Sequence, residues 1–478
     1  MAVPATDRKP FDRAIVDGPI GGAVWKLAWP TMVQNVIGGL QGVVDHAMVG
    51  HFVGYAANAG IGVAVQIFIV VFVFVASVFT GMSVLVARFA GADRPEQVNR
   101  AVYQAFLASV TFCLGVLAPI GWLLAPSLLG LVHATAEVRA QALPYLRILF
   151  VSGVGLMLFH MFGSALRAAG DARTPLRLGL LLTALNVAFN VVLIRGWGPI
   201  PALGTAGAAL GTVLAGALVT ALTVYLLLSG RLVVHWQRTM SLRPDWPLLK
   251  ALFRLGLPTG VQGVAMNVAG VLLLRYIGSL PKSAEAQAAY AVGYTELFSL
   301  ITWTSVGLLG ATAAVVGQNL GAGHLDRAAA APRVAARLGL IVALTVGGLF
   351  VVLPGPLLAL FGMTDPQVVD IARQLLAFLS VSGLFVSVAL VYTGALQGGG
   401  DTRSPLYITL VSQIVVPLGL CALLDASGRL AAAGIWTAIL AGHATRCLLS
   451  VWRFRQGRWR AIDLGVGPWK GTQEPGMP

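Results

Sequence analysis

Two acidic side chains stand in long apolar stretches of the sequence, where a carboxylate is costly to place. Asp45 lies in the stretch that begins near Leu27, and Glu296 lies in one that reaches back to about Ala286. An aspartate at the centre of a membrane helix costs about 2.5–3.5 kcal/mol on insertion scales, so such carboxylates usually face a cavity and mark an ion path. An apolar environment also favours the protonated carboxyl group. Asp45 is therefore a candidate proton carrier, with the alternative that it is hydrated at the outer membrane interface. Glu296 either faces a cavity or is a hydrated residue at the end of a transmembrane span.

A second group of side chains has the chemistry of a site for organic cations. Gln34 and Gln262 each follow a proline by four residues, and this spacing places each pair on one helical face. Aromatic rings attract cations, and methionine adapts to ligands of different shape. We therefore predict a cleft lined by such residues, with the alternative that the aromatic ones only pack the core or the membrane interface. The predicted lining residues are Gln34, Gln262, Met266, Tyr290, Tyr294 and Glu296.

The composition indicates an integral membrane protein. Hydrophobic residues make up 57% of the 478 residues and charged residues 10%, whereas a soluble domain carries about 25% charged residues. The net charge of +14 does not indicate nucleic-acid binding, because the basic residues stand in short clusters between apolar stretches. The three cysteines have no paired spacing, and the sequence has no metal-binding histidine motif and no phosphate-binding glycine loop. We therefore expect no metal, no cofactor and no use of ATP.

The apolar stretches predict twelve transmembrane helices. Nearly all are long enough to cross about 30 Å of hydrocarbon at 1.5 Å per residue, and they are too continuous for the strands of a membrane barrel. With twelve spans, 25 of the 32 lysines and arginines fall on the side that carries both termini. This bias predicts a multi-pass protein of the cell inner membrane with its N- and C-termini in the cytoplasm. The first 21 residues carry charges and no apolar core of a signal peptide.

An internal repeat divides the chain. The segment from Leu27 to Gln34 recurs as Leu255 to Gln262, and the motif from Gly170 to Pro175 recurs as Gly400 to Pro405, at offsets of 228 and 230 residues. A duplicated unit of six helices enters the membrane twice in the same orientation, so a pseudo-two-fold axis along the membrane normal should relate two bundles around a central cleft. The predicted ranges are an N-terminal segment 1–21, a first bundle 22–229, a linker 230–250, a second bundle 251–452 and a tail 453–478.

The order and spacing of several fragments resemble the multidrug and toxic compound extrusion (MATE) transporters over roughly residues 20–455. The resemblance implies a V-shaped fold of twelve helices. It also implies export of amphiphilic, often cationic, compounds in exchange for H⁺ or Na⁺. The fragments that carry it are Pro30, Asp45 to Gly50, Gly91-Ala92, Leu166 to Pro175, Asn186, Gly207 to Ala209 with Thr212, and Gln318 to Ala322.

The resemblance also assigns residues to ion coupling. The family's coupling carboxylate in the first helix falls at Asp45, and many relatives have an asparagine and then an aspartate where this chain has Asn186 and Asn190. The second acid is thus replaced, so we expect a cation-coupling cluster of Asp45, Asn186, Asn190 and Thr212 that carries H⁺ rather than Na⁺. Sodium prefers more anionic oxygen than one carboxylate supplies. In the alternative, the asparagines only cross-link helices and Thr212 bonds its own backbone.

A proline in the first helix is the predicted gate. Bending of this helix has been tied to protonation in the resembling family, and Pro30 lies early in it. A proline inside a helix removes a backbone hydrogen bond and permits a kink, whereas a proline in the first turn is harmless. Pro30 is therefore a gating residue if the helix begins well before it.

The leading hypothesis is a secondary active efflux antiporter and not an enzyme. We expect a monomer in the lipid bilayer that takes small amphiphilic substrates and does not bind nucleic acid. One alternative keeps the fold but exports a lipid-linked intermediate or a metabolite, which a strongly basic cavity would favour. Basic residues inside the apolar stretches are scarce, with Arg275 and Arg446 the ambiguous ones. A remote alternative is an integral-membrane transferase, which would need clustered acids or a phosphate loop that the sequence lacks.

Overall fold

A computed structural model describes residues 10–237 and 240–465. Three parts of predicted ranges lie outside the described residues: 1–9 of the N-terminal segment, 238–239 of the linker and 466–478 of the tail. The described residues form helices, turns and one isolated bridge between Trp197 and Ile200, and they contain no β-strand. The prediction of an all-α fold is confirmed.

Twelve helical segments follow one another along the described chain, several of them joined from shorter pieces. Short helices also occur at Arg13–Ile15, Pro354–Ala359 and Arg458–Ala461. The twelve are α1 (Ile20–Phe52), α2 (Tyr55–Gly91), α3 (Pro95–Leu131), α4 (Ala136–Ser152 with Val154–Ala168), α5 (Arg173–Arg195), α6 (Gly204–Leu228), α7 (Trp246–Gly278), α8 (Ser283–Gly321), α9 (Leu325–Val352), α10 (Pro366–Gly398), α11 (Arg403–Ala426) and α12 (Ala432–Arg455).

The helices have the length and apolarity of membrane spans. Nine of them within the described residues are long and apolar enough to cross a membrane. A tenth is α4 if its two parts, bent by 54° at Gly153, count as one span. The remaining two, α1 and α12, are 33 and 24 residues long and carry more polar residues, including Asp45 and Arg446. The twelve apolar stretches of the sequence therefore correspond to twelve helical segments in the described part of the chain, and two of these segments are less apolar than the rest.

Three helices contain a π-helical segment, in which each turn takes up an additional residue. These segments are Cys113–Leu117 in α3, Ala291–Leu297 in α8 and Leu410–Val415 in α11. Such segments rotate the side chains that follow them and are frequent at functional sites. The segment in α8 carries Tyr294 and Glu296, two of the predicted cleft residues.

Contacts divide the described chain into two compact units whose limits differ from those of the sequence repeat. Unit 1 contains the described residues of Val36–Gly260, and unit 2 contains Arg13–Asn35 and Val261–Leu464. The first part of α1 thus belongs with the second half of the chain: Asn35 Nδ2 donates a 3.1 Å hydrogen bond to the carbonyl oxygen of Trp303. The first part of α7 belongs with unit 1 in the same way. The first helix of each half therefore begins among the helices of the other half.

The repeated Gly-Asp-x-Arg-x-Pro motif forms the same turn in both units. Asp171 accepts hydrogen bonds from the backbone N–H and the hydroxyl of Thr174, at 3.0 and 2.7 Å. Asp401 does the same with Ser404, at 3.0 and 2.8 Å. These bonds satisfy backbone donors that a helix start leaves free. The motif is therefore a cap at which a helix starts, and both copies form it with the same hydrogen bonds.

Candidate functional site

In unit 1, α1, α5 and α6 bring together the four residues predicted to form the cation-coupling cluster. Asn190 Nδ2 donates to Asp45 Oδ1 at 2.7 Å and is 3.3 Å from Asn186 Oδ1. Asn186 Nδ2 in turn donates to Thr212 Oγ1 at 3.0 Å. Both asparagines are fully buried and Asp45 is half-buried. The result is a chain of hydrogen bonds that starts at one carboxylate and continues through neutral groups.

Close packing of α5 and α6 holds this chain of hydrogen bonds in place. Gly207 and Gly211 of α6 face α5, and a Cβ atom at Gly211 would clash with Asn190 Oδ1. Small residues spaced by four allow the backbones of two membrane helices to approach closely. The Asn190 Oδ1 atom is buried and accepts no hydrogen bond from any described residue. The cluster therefore offers the Asn190 Oδ1 atom, besides the carboxylate of Asp45, as an acceptor for a proton donor or a cation.

Thr212 belongs to the cluster, as predicted, and its hydroxyl also bonds its own helix backbone, as the alternative states. Its Oγ1 accepts the bond from Asn186 and donates to the carbonyl oxygen of Ala208 at 3.1 Å. With its proton engaged by the backbone, the hydroxyl presents only an oxygen lone pair to the cluster. Thr212 thus orients Asn186, which orients Asn190, and Asn190 holds Asp45.

Sequence reasoning missed further polar pairs around the cluster. Thr183 Oγ1 of α5 donates to Gln41 Oε1 of α1 at 2.9 Å, one helical turn before Asp45. His46 Nδ1 lies 2.6 Å from Asn58 Oδ1 at the start of α2. Gln41 and His46 flank Asp45 on α1, and their proximity in the sequence to this carboxylate was the signal available. These pairs fix the end of α1 that carries Asp45.

Pro30 lies well inside α1, ten positions from its start at Ile20, and it is buried. The alternative of a harmless proline in the first turn is therefore wrong. Pro30 precedes Asp45 by fifteen residues in the sequence, and it belongs to unit 2 whereas Asp45 belongs to unit 1. Gating by Pro30 stays a prediction.

The predicted cleft residues all belong to unit 2, and their surroundings differ. Gln262 is buried, and its Nε2 donates to Thr409 Oγ1 of α11 at 2.8 Å, so part of its amide serves to join two helices. Gln34 and Met266 are half-buried on α1 and α7. Glu296 is half-buried in the π-helical segment of α8. Their contact with a substrate stays a prediction.

Tyr290 and Tyr294 form an aromatic column in unit 2. Their rings stack with centroids 4.9 Å apart and an interplanar angle of 8°. Tyr294 also lies 5.4 Å from Phe298, and Tyr290 lies 6.3 Å from Trp436 of α12. Phe298 and Trp436 belong to the fully buried core of the unit. The column is therefore partly core packing, as the alternative predicts, but Tyr294 is only half-buried and reaches the edge of that core.

The chemistry available to the cluster in unit 1 is the exchange of a small cation at one carboxylate. Asp45 can accept a proton and release it, and the neutral amides can hold it in either state. Among the described residues, no group of three or more His, Cys, Asp or Glu side chains has the arrangement of a metal site. The arrangement contains no activated nucleophile beside a general base, so it offers no step of covalent catalysis.

Comparisons with known proteins cover nearly the whole chain. The family model described as MatE matches residues 30–192 and 258–423. A curated relative from Thermotoga maritima, "Probable multidrug resistance protein NorM", is 29% identical over 91% of this chain and 92% of its own length. "Multidrug resistance protein MdtK" from Pectobacterium atrosepticum is 28% identical over 90% of this chain and 94% of its own length.

Solved structures share the fold. One of them, described as the outward-facing conformation of a multidrug resistance MATE family transporter of the MOP superfamily, superposes with a TM-score of 0.85 over 95% of this chain and 100% of its own. Its sequence is 21% identical to this chain. Another, a MATE in the bent conformation, has a TM-score of 0.83 and 22% identity, and covers 94% of this chain and 99% of its own. The two matched segments of the family model correspond to the two halves of the sequence repeat.

Proposed function

Since this chain belongs to the MatE family, whose members are membrane transporters and not enzymes, we propose that it is a secondary active antiporter that exports amphiphilic and cationic organic compounds in exchange for H⁺. The names of its relatives, NorM and MdtK multidrug resistance proteins, support multidrug efflux. The exchange with H⁺ is the further step of the proposal. It places the protein in the inner membrane of a bacterial cell, where a proton gradient is available.

The observation that carries this proposal is the hydrogen-bonded chain from Asp45 through Asn190 and Asn186 to Thr212. A carboxylate among apolar helices costs free energy, so such a group usually pairs with another polar group or lines an ion path. The amide of Asn190 supplies one hydrogen bond, which accommodates the charged form without fixing it as a full ion pair would. Entry of a proton neutralises Asp45 and changes what Asn190 can donate to. Differential contacts of this kind are what allow an ion to bias a transporter between two conformations.

The test of multidrug efflux is the accumulation of a fluorescent quaternary ammonium dye by cells that lack their own exporters. Cells that express the chain are expected to accumulate several-fold less dye than cells with an empty vector. Addition of a protonophore should raise accumulation to the level of the empty vector, because the exporter has no other source of energy. Equal accumulation in both strains, with the protein present in the membrane, would contradict efflux of cations.

The orientation is tested with reporter fusions. A reporter at residue 240, in the linker between the two halves, and one at the C-terminus should both report the cytoplasm, because the lysines and arginines concentrate on that side. A reporter near Ala57, at the start of α2, should report the outside. A periplasmic signal at residue 240 would overturn the orientation and the count of six spans in the first half.

A further inference from the structure

Buried polar atoms without a hydrogen-bond partner concentrate on one face of α12 in unit 2. Among the described residues, eleven buried side-chain nitrogen and oxygen atoms have no partner, and five of them are on this helix. Four residues of α12 carry them: Trp436, His443, Arg446 and Ser450. Their spacing of three, four and seven places them on the same face. Ser382 of the neighbouring helix α10 adds another such atom.

Two of these side chains carry strong hydrogen-bond donors and are almost completely buried. Arg446 is 7% exposed and His443 is 4% exposed. The Arg446 Nε and both ring nitrogens of His443 have no partner among the described residues. No described carboxylate forms an ion pair with Arg446. A buried arginine needs an anion or an array of acceptors, because it stays protonated and loses the water that would otherwise solvate it.

Aromatic rings lie beside these donors. The Tyr294 ring is nearly parallel to the His443 ring, with an interplanar angle of 10° and centroids 6.5 Å apart. Phe298 is 5.9 Å from His443. Arg446 follows His443 by three residues and lies on the same face of α12. Because Tyr294 is only half-buried, this aromatic wall extends from the edge of unit 2 to the buried donors.

We propose that this face of α12 is a binding site for an aromatic carboxylate, with Arg446 and His443 donating to the carboxylate and Tyr294 packing against the aromatic ring. The guanidinium group presents two parallel N–H donors that match the two oxygens of a carboxylate. Ser450, one helical turn beyond Arg446, adds a hydroxyl group on the same face of α12. The cluster in unit 1 holds a carboxylate and suits cations, so this second site has the opposite charge. The repeat does not generate it, since positions 213 and 216, which precede His443 and Arg446 by 230, are Val213 and Gly216.

The inference deepens the proposed function by naming a second class of cargo, and its test measures binding without any gradient. The full chain is purified in detergent and titrated with 1-naphthoate by calorimetry. The matched controls are 1-naphthamide, which has the same ring and shape but no charge, and 1-naphthylmethylammonium, which has the opposite charge. We expect 1-naphthoate to bind at least about tenfold more tightly than either, because a bidentate bond between two charged groups is stronger than a neutral one. Equal binding of 1-naphthoate and 1-naphthamide would overturn the proposal.

Variants separate Arg446 from a general effect of charge. Arg446→Gln is expected to weaken 1-naphthoate binding by at least about tenfold and to leave 1-naphthamide binding unchanged. His443→Phe keeps the ring and removes both nitrogens, so it should weaken binding less. The control is Arg147→Gln in unit 1, since Arg147 also has a buried Nε without a partner, lies 4.3 Å from the ring of Trp122 and has no place in the proposed site. Wild-type affinity in Arg446→Gln would overturn the site.

Two further measurements keep the test decisive. If Arg446→Gln does not fold, as shown by gel filtration, Arg446→Lys keeps the charge and loses the paired donors, so its affinity for 1-naphthoate should fall while its melting temperature stays near that of the wild type. 1-Naphthyl phosphate and decanoate are titrated against the wild type to separate an aromatic carboxylate from a phosphate group and from a lipid tail. Tighter binding of either than of 1-naphthoate would overturn the assignment of the ligand. Absence of dye efflux by the wild type, together with binding of 1-naphthoate, would contradict the proposed function but not the proposed binding site.

Discussion

Replacement of Asp45 by asparagine is expected to abolish proton-driven efflux while the protein remains folded in the membrane. The Asp45 Oδ1 atom accepts a 2.7 Å hydrogen bond from Asn190 Nδ2, and an asparagine oxygen in the same place can accept it as well. The substitution therefore keeps the shape and removes the group that takes up a proton. We expect efflux of the ammonium dye to fall by about two orders of magnitude, the upper range of measured coupling between two ligands. The measurement compares cells with equal amounts of each protein in their membranes.

A matched control perturbs the same pair of helices without changing a charge. Thr183 Oγ1 of α5 donates to Gln41 Oε1 of α1 at 2.9 Å, so Thr183→Val removes one hydrogen bond between α1 and α5. Its loss costs about 1 kcal/mol of stability and should leave most of the efflux. Full efflux by Asp45→Asn would contradict the proton-carrying part assigned to Asp45. Equal loss in both variants would indicate that α1 and α5 matter through packing alone.

Transport is expected to run on a pH gradient alone, with no requirement for Na⁺. Among the described residues, the hydrogen-bonded chain around Asp45 contains one carboxylate, two amides and one hydroxyl. A proton needs only that carboxylate, whereas Na⁺ must replace its water with several oxygens and prefers anionic ones. The measurement is dye efflux from proteoliposomes in Na⁺-free buffer under an imposed pH gradient. Absence of transport there, with recovery on addition of Na⁺, would show that neutral oxygens suffice for sodium.

The substitution Asn190→Asp adds a second acid to the cluster around Asp45. Asn190 is fully buried and its Nδ2 bonds Asp45, so Asn190→Asp places a second carboxylate beside the first. Two close carboxylates repel each other unless one is protonated or a cation lies between them. The variant should therefore depend more on Na⁺ than the wild type does, with the Thr183→Val protein again as the control. A variant that stays insensitive to Na⁺ would indicate that charge does not select the ion.

The repeated motifs show what local patterns can predict. The Gly-Asp-x-Arg-x-Pro turns form the same cap in both halves, because Asp401 and Ser404 are three residues apart and need no distant partner. Tyr290 and Tyr294 are four residues apart, a spacing that places them on one helical face, and their rings stack with centroids 4.9 Å apart. Neither spacing, however, predicts which neighbouring helix packs against these residues.

The sequence by itself determined that this protein is an all-α membrane protein with a duplicated order of helices. The apolar stretches and the position of Asp45 within one of them depend only on residues that are neighbours in the sequence. Because charge is costly in hydrocarbon, such stretches predict membrane helices without a structure. The family resemblance added the candidate partners of Asp45, but Asn190 lies 145 residues away along the chain. Their meeting is a property of packing.

Only the tertiary structure decided which polar side chains find partners. Gly211 brings α6 so close to Asn190 that this amide is directed to Asp45. Helix packing also covers Arg446 and His443 without supplying an acceptor. The limits of the two units, which cut α1 after Asn35 and α7 after Gly260, follow from the same long-range contacts. Burial and pairing depend on which helix faces meet, and apolar stretches that are hydrophobic on all sides carry little information about those faces.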